Sequence, residues 1–298
     1  MFRGKWAGII FTVCVIVGSV NFSFGQDEKT ALIESVLKLS GVGEQIDLIQ
    51  QNVVDEINRL EPVDDQGMMG EFSQITREAY RPEKLRQRIT DHLNQNFDEV
   101  RLKAIEEWLK SPLAVKMIGL ELKAASPESN AAVEEFLKEK ETKPIPENRL
   151  GLAKHLDQAL NASDVSLKLA SATSQGMIQA LEATVPPEER DTLGSAEQEQ
   201  MIKEMEEPLK EMTLNSLLFT YKDVTDEELQ QYIDFYETEN GKWFIQLLND
   251  SIVNAMQESS KEIGKEMAKV MAKMPKKTQE ETKDLGVPES PKEQLPVE

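Results

Sequence analysis

Apolar residues recur at helical spacing along most of the chain. Ile46, Ile49, Val53, Ile57 and Leu60 make one stripe, and Leu85, Ile89 and Leu93 another. No stretch alternates convincingly between apolar and polar, which is the pattern of a half-buried strand, so the periodicity predicts an all-α fold without a sheet. Helix boundaries are marked by Gly41, by Pro62 and by Ser126 before Pro127. Thr225 with Glu228 three residues on reads as a capping box. Lys143, Pro144, Ile145 and Pro146 form the best internal boundary. Beyond Pro275, Pro288, Pro291 and Pro296 stand among Lys, Glu and Gln, and residues 275–298 read as a disordered tail.

The same architecture is written twice. Placing residue 102 over residue 229 pairs Leu102 with Leu229, Glu107 with Asp234, Trp108 with Phe235 and Leu109 with Tyr236. The register continues through Ser111 with Thr238, Ala114 with Gly241 and Ile118 with Ile245. Each copy is a helix ending in an aromatic or apolar pair, a short Ser/Thr break, and a second helix with a small residue in its first turn. A slightly different offset upstream pairs Leu39 with Leu160, Ile46 with Leu167, Ile57 with Ile178 and Leu60 with Leu181. The pattern predicts an internal duplication of two similar antiparallel helical bundles, residues 26–142 and 146–274.

Val224, Thr225, Asp226, Glu227, Glu228 and Leu229, followed by Phe235, Tyr236 and Gly241, resemble the signature of a bacterial family of exported helical proteins, domain of unknown function 2059. That signature is an acidic helix start, then Phe-Tyr, then Ser-Pro-x-Gly. The second copy has Thr238 and Glu239 in place of Ser-Pro. The first keeps Ser111 and Pro112 but has Trp108, Leu109 and Ala114 for the aromatic pair and the glycine. The resemblance implies a periplasmic helical domain and carries over no catalytic residue.

The first residues predict export. Arg3 and Lys5 precede an apolar run from Trp6 through Val20, and Ser23 and Gly25 then supply small residues for cleavage before Gln26. Residues 1–25 thus read as a signal peptide, and the run is short for a membrane span. The competing readings are an uncleaved anchor and a lipoprotein built on Cys14, although Phe11 and Val13 fit a lipobox poorly. Cys14 is the single cysteine, so cleavage would leave no disulfide, thiol nucleophile or thiolate metal site.

The formal net charge is −20, and removing residues 1–25, which hold two cations and no acid, makes it more negative by two. Such a surface repels phosphate backbones, so nucleic acid is not an expected partner. The plain reading of the acidity is solubility, and the sharper one is recognition of a cationic ligand.

Candidate chemistry is sparse. His92 and His155 lack partners at a metal-binding spacing, and no His-Glu-x-x-His or Ser-centred elbow is present. Neither Gly41-x-Gly43 nor Gly241-Lys242 sits in a nucleotide-binding context. Carboxylates are so numerous, 54 in all, that a pair at glycosidase spacing carries no signal. Tyr232, Phe235, Tyr236, Trp243 and Phe244 form the densest aromatic group. With Gly241, Trp108 and Ala114 they predict the seam of a helical hairpin, or a pocket in which the Tyr232 and Tyr236 hydroxyls orient a lipid or peptide. In the last helix Lys261, Lys265, Lys269 and Lys273 form a row beside Glu258, Glu262 and Glu266, with Ile263, Met267, Val270, Met271 and Met274 on an apolar face. That is a solvated face closed by Glu–Lys pairs, or a basic amphipathic helix for a membrane or partner groove.

The sequence therefore predicts an exported, non-enzymatic helical binding or scaffolding domain of the bacterial envelope, without cofactor, metal or integral span, whose partner is an envelope protein or lipid. The alternative is a carboxylate-based hydrolase acting on cell-wall glycan or peptide.

Overall fold

The computed structural model describes residues 28–48, 68–182 and 195–273. The predicted signal peptide, the stripe from Ile49 to Leu60, the break at Pro62, and Met274 with the tail lie outside the described residues, as do the upstream repeat pairs at Ile57 and Leu60. Every regular element among the described residues is helical, and no strand occurs among them. In chain order these are α1 (28–39), α2 (42–48), α3 (Met68–Ala79), α4 (Pro82–Gln95), α5 (Glu99–Leu109) and α6 (Pro112–Ala125). A short 3-10 turn, Pro127–Ser129, leads to α7 (Asn130–Thr142), α8 (Glu147–Leu160), α9 (Ala162–Glu182), α10 (Ser195–Thr220), α11 (Asp226–Glu237) and α12 (Glu239–Lys273).

Local chemistry sets the breaks. Gly41 takes φ +73° between α1 and α2, and an added Cβ there would lie 3.0 Å from the Ile118 side chain, so both backbone freedom and lack of bulk are used. Asp98 caps α5 by accepting from the Arg101 amide, and Ser111 caps α6 by accepting from the Ala114 amide with Pro112 at the first helical position. The capping box of Thr225 and Glu228 opens α11. The boundary read at 143–146 is the connection between α7 and α8.

The 35-residue α12 spans about 50 Å at 1.5 Å per residue. It packs against α9, α4, α3, α5 and α11. Helix α4 lies antiparallel to it: Tyr80, just before α4, hydrogen-bonds through its hydroxyl with Ser260 (3.2 Å), and His92 near the other end bonds with Ser251 (2.9 Å). From α4, Arg88 donates to Glu262 of α12 (2.6 Å) and Lys84 donates to the same carboxylate (2.6 Å). The stripe Leu85, Ile89 and Leu93 is buried. Each such side chain contributes roughly 1.5–3 kcal/mol by leaving water.

One cluster of buried side chains draws on both predicted halves. Ile33, Leu102, Ile105, Leu109 and Met117 belong to it together with Leu229, Tyr232, Ile233, Phe244 and Leu248. The two segments thus share a core rather than each enclosing its own.

Candidate functional site

The site begins with an irregularity on α6. Ala114, Met117 and Ile118 make its buried face, and the same helical row continues to Glu121, which carries a carboxylate where an apolar side chain is expected. Two tyrosines meet it. The Tyr221 hydroxyl donates to Glu121 Oε1 at 2.5 Å, and the Tyr232 hydroxyl donates to the same oxygen at 2.6 Å. Tyr236, one turn along α11, brings its hydroxyl to 3.4 Å from that of Tyr232. Glu121 Oε2 makes no hydrogen bond with another described residue.

Tyr221 lies in the turn between α10 and α11, and Arg149 of α8 fixes that turn. Arg149 donates to the carbonyl oxygens of Tyr221 and Val224 and to Asp226 Oδ1, the last two at 2.6 and 2.7 Å. Its side chain is only 13 % exposed, so these three acceptors satisfy a largely desolvated guanidinium.

Glu121 retains some accessible surface, but the protein around its carboxyl is as dense as the interior. Burial pushes the carboxyl above the ordinary value of 4.5, and the two phenolic donors oppose that rise without cancelling it. Burial, followed by the nearby charge of Glu121, drives Tyr221 and Tyr232 well above the usual phenol range. Tyr236 moves the same way for the same reasons. All three phenols therefore remain protonated donors at neutral pH.

These groups line part of a cavity of about 370 Å³. Ile118, Leu160, Leu217, Phe244, Leu248 and Ile252 provide apolar wall, while Ala125 and Ser216, both exposed, mark where the cavity meets the surface. Glu121 is the one carboxylate among the described residues of its lining, so these residues do not assemble the two facing carboxylates that a glycosidase mechanism requires. A larger groove of about 750 Å³ between α8, α9 and α10 is lined by Lys154, Asp164, Glu207 and Glu211, which are exposed charges with ready access to water.

Of the aromatic group and its partners singled out in the sequence, Tyr232, Tyr236 and Phe244 line the cavity; Trp108, Ala114, Phe235, Gly241 and Trp243 do not. Trp108 instead stacks on Phe235, with ring centroids 3.4 Å apart and planes 5° from parallel, and lies 5.7 Å from the Tyr232 ring. Trp243 is half-buried with the Arg101 guanidinium 5.5 Å from its ring, and Lys116 binds Glu228 at 2.7 Å. The register that writes residue 102 over 229 also writes 101 over 228, 108 over 235 and 116 over 243.

Gly241 makes a close approach within its own hairpin. A Cβ on Gly241 would fall 2.1 Å from the Phe235 carbonyl oxygen and 2.7 Å from the Tyr236 Cα. Its counterpart Ala114 is fully buried and accommodates a methyl. In the lysine row, Lys261 and Lys269 pair with Glu258 and Glu266 at 2.8 and 2.6 Å, whereas Glu262 turns to Lys84 and Arg88. Ile263 and Met267 are buried, so the apolar face that membrane docking would present is covered there by the fold.

His155 bonds Glu237 at 2.9 Å. Among the described residues no group of three or more His, Cys, Asp or Glu is placed to hold a metal ion, and no helix is long and apolar enough to cross a membrane. Glu121, Tyr221 and Arg149 are not singled out by the sequence pattern. The signal for Glu121 is its position on the apolar row of α6; nothing local marks the other two.

No curated protein and no solved structure matches the chain. Residues 83–140, which contain Trp108, Ser111, Pro112, Ala114 and Glu121 but not the 224–241 segment, match domain of unknown function 2059 and are thereby similar to a family described as uncharacterized protein conserved in bacteria.

Proposed function

We propose that this chain is an exported, non-enzymatic binding domain of the bacterial envelope whose ligand enters the cavity beside Glu121. The observation that carries the reading is a mostly apolar cavity whose lining brings the Glu121 carboxyl together with the Tyr221 and Tyr232 hydroxyls, a combination suited to a small-molecule site. Glu121 is the one carboxylate of the described lining and the phenols beside it stay protonated, so the described cavity lacks the second carboxylate that the hydrolase alternative needs. Export rests on Arg3, Lys5, the apolar run to Val20 and the small residues Ser23 and Gly25. N-terminal sequencing of envelope-fraction protein should therefore begin at Gln26.

The reading includes an internal duplication in which the α5–α6 and α11–α12 hairpins face each other about a pseudo-two-fold axis. In an isologous contact, if one residue meets a second, their counterparts must also meet. Arg101 meets Trp243, and their counterparts Glu228 and Lys116 form an ion pair, while the equivalent Trp108 and Phe235 stack on each other. The side-chain caps Asp98 and Ser111 also align with Thr225 and Thr238.

The test is binding of N-phenyl-1-naphthylamine, an uncharged apolar dye whose emission rises out of water. The unmodified chain should bind it saturably, and Ile252→Trp, which fills the cavity, should weaken binding at least tenfold while keeping the helical circular dichroism signal. Equal binding by both forms would place the dye elsewhere and remove the cavity as the site.

A further inference from the structure

We infer that the cavity selects a ligand with a protonated amine on an apolar body, and that Glu121 receives the ammonium group. This inference rests on the cavity being a binding site. Among the described residues Glu121 is the only charged side chain in the lining, and no Lys, Arg or His of theirs shares the cavity with it. A carboxyl largely withdrawn from water stays protonated or is held in its ionised form by a cation beside it. None of the described lining residues supplies that cation, and a cationic ligand would.

The geometry suits that partner. Tyr221 and Tyr232 both occupy Oε1, leaving Oε2 with acceptor capacity for an N–H donor. The three phenol rings pack against one another beside the carboxyl, with Tyr221 and Tyr232 centroids 5.9 Å apart and those of Tyr232 and Tyr236 5.1 Å apart, and bring no positive charge to it. Leu217, Leu248 and Ile252 then offer hydrocarbon wall, and about 370 Å³ sits near the small end of ligand pockets, matching an amine with a short apolar body. The net charge of −20 attracts cations and repels carboxylate ligands of the same shape.

Among the described lining residues, the titratable groups facing Glu121 are Tyr221 before α11 and Tyr232 and Tyr236 on it; the others, from the turn before α2 and from α2, α5, α6, α8, α10 and α12, are uncharged. Among the described lining residues, therefore, Glu121 is the group whose charge responds to pH, since its carboxyl is raised by burial and the three phenols stay protonated. An ammonium ligand requires its ionised form, so affinity should rise with pH. A carbonyl ligand accepting a proton from the neutral acid would weaken with rising pH.

Titration calorimetry of the intact chain with 1-octylamine, 1-octanol and octanoate separates the possibilities, because the three differ only in the head group. Octylamine should bind at least tenfold tighter than octanol, octanoate should bind weakest, and octylamine affinity should increase from pH 5 to pH 8. Glu121→Gln keeps an acceptor for the two hydroxyls and should abolish the preference for amine while octanol binding persists. If that variant folds poorly, the pH series on the unmodified chain decides the same question. Octanol binding as tightly as octylamine, or amine affinity falling with pH, would overturn the ammonium assignment and leave the cavity as a neutral-ligand site. Binding of none of the three would overturn both.

Discussion

Trp108 and Phe235, one from each predicted half of the chain, lie face to face with their ring planes 5° from parallel. Both are partly buried against the common core. Replacing either with Ala should cost about 2–4 kcal/mol, somewhat below the range for fully buried aromatics. The double variant should show a coupling of about 0.5–1.5 kcal/mol in denaturant melts. Strict additivity would mean that the stack contributes nothing beyond the area each ring buries.

Because the core is common to both segments, residues 26–143 and 144–275 should not fold cooperatively when produced apart. Leu102, Ile105 and Leu109 would lose their contacts with the α11–α12 side, and Tyr232 would lose the acceptor Glu121. Mixed at equal concentration, the two pieces should recover helicity and a sharp melt, as read by circular dichroism. Cooperative melting of each piece alone would show that the shared cluster is dispensable.

Gly241 tolerates no side chain without backbone movement. Gly241→Ala should cost about 2–3 kcal/mol, since the opposing atoms are the Phe235 carbonyl and Tyr236 Cα rather than the end of a flexible side chain. The counterpart change Ala114→Gly should cost only about 1 kcal/mol, near the helix-propensity difference. Thermal melts of the pair compare the two corners, and a Gly241→Ala protein as stable as the parent would contradict this corner geometry.

Glu121 and Glu262 should give opposite pH signatures. Burial opposes ionisation of Glu262, but hydrogen bonds from Lys84 and Arg88 outweigh it and hold the carboxyl below 4.5. Its stabilisation is present above the unfolded value and is lost as pH falls through the folded one. Glu121 runs the other way: its folded value lies above the unfolded value, so its ionisation destabilises the fold as pH rises above 4.5. Relative to the unmodified chain, Glu121→Gln should thus gain melting temperature towards pH 8 and differ least near pH 4. Glu262→Gln should lose melting temperature at neutral pH and converge in acid. Parallel curves across the whole range would refute both assignments.

The helices were legible because their causes are local. Apolar spacing marked Leu85, Ile89 and Leu93, hydroxyl and acidic side chains marked the Thr225–Glu228 cap, and Lys143–Pro146 marked a connection. The register pairing Trp108 with Phe235 could likewise be written from the chain alone. Its stacking could not, because contact depends on how two hairpins approach and not on what either contains. Glu121 makes the same point: its place on the apolar row of α6 is a sequence property, but Tyr221 and Tyr232 reach it from far along the chain. The composition determined that carboxylates abound; tertiary packing decided which of them loses water, since desolvation is set by every neighbour within several ångströms and helical periodicity specifies only the face.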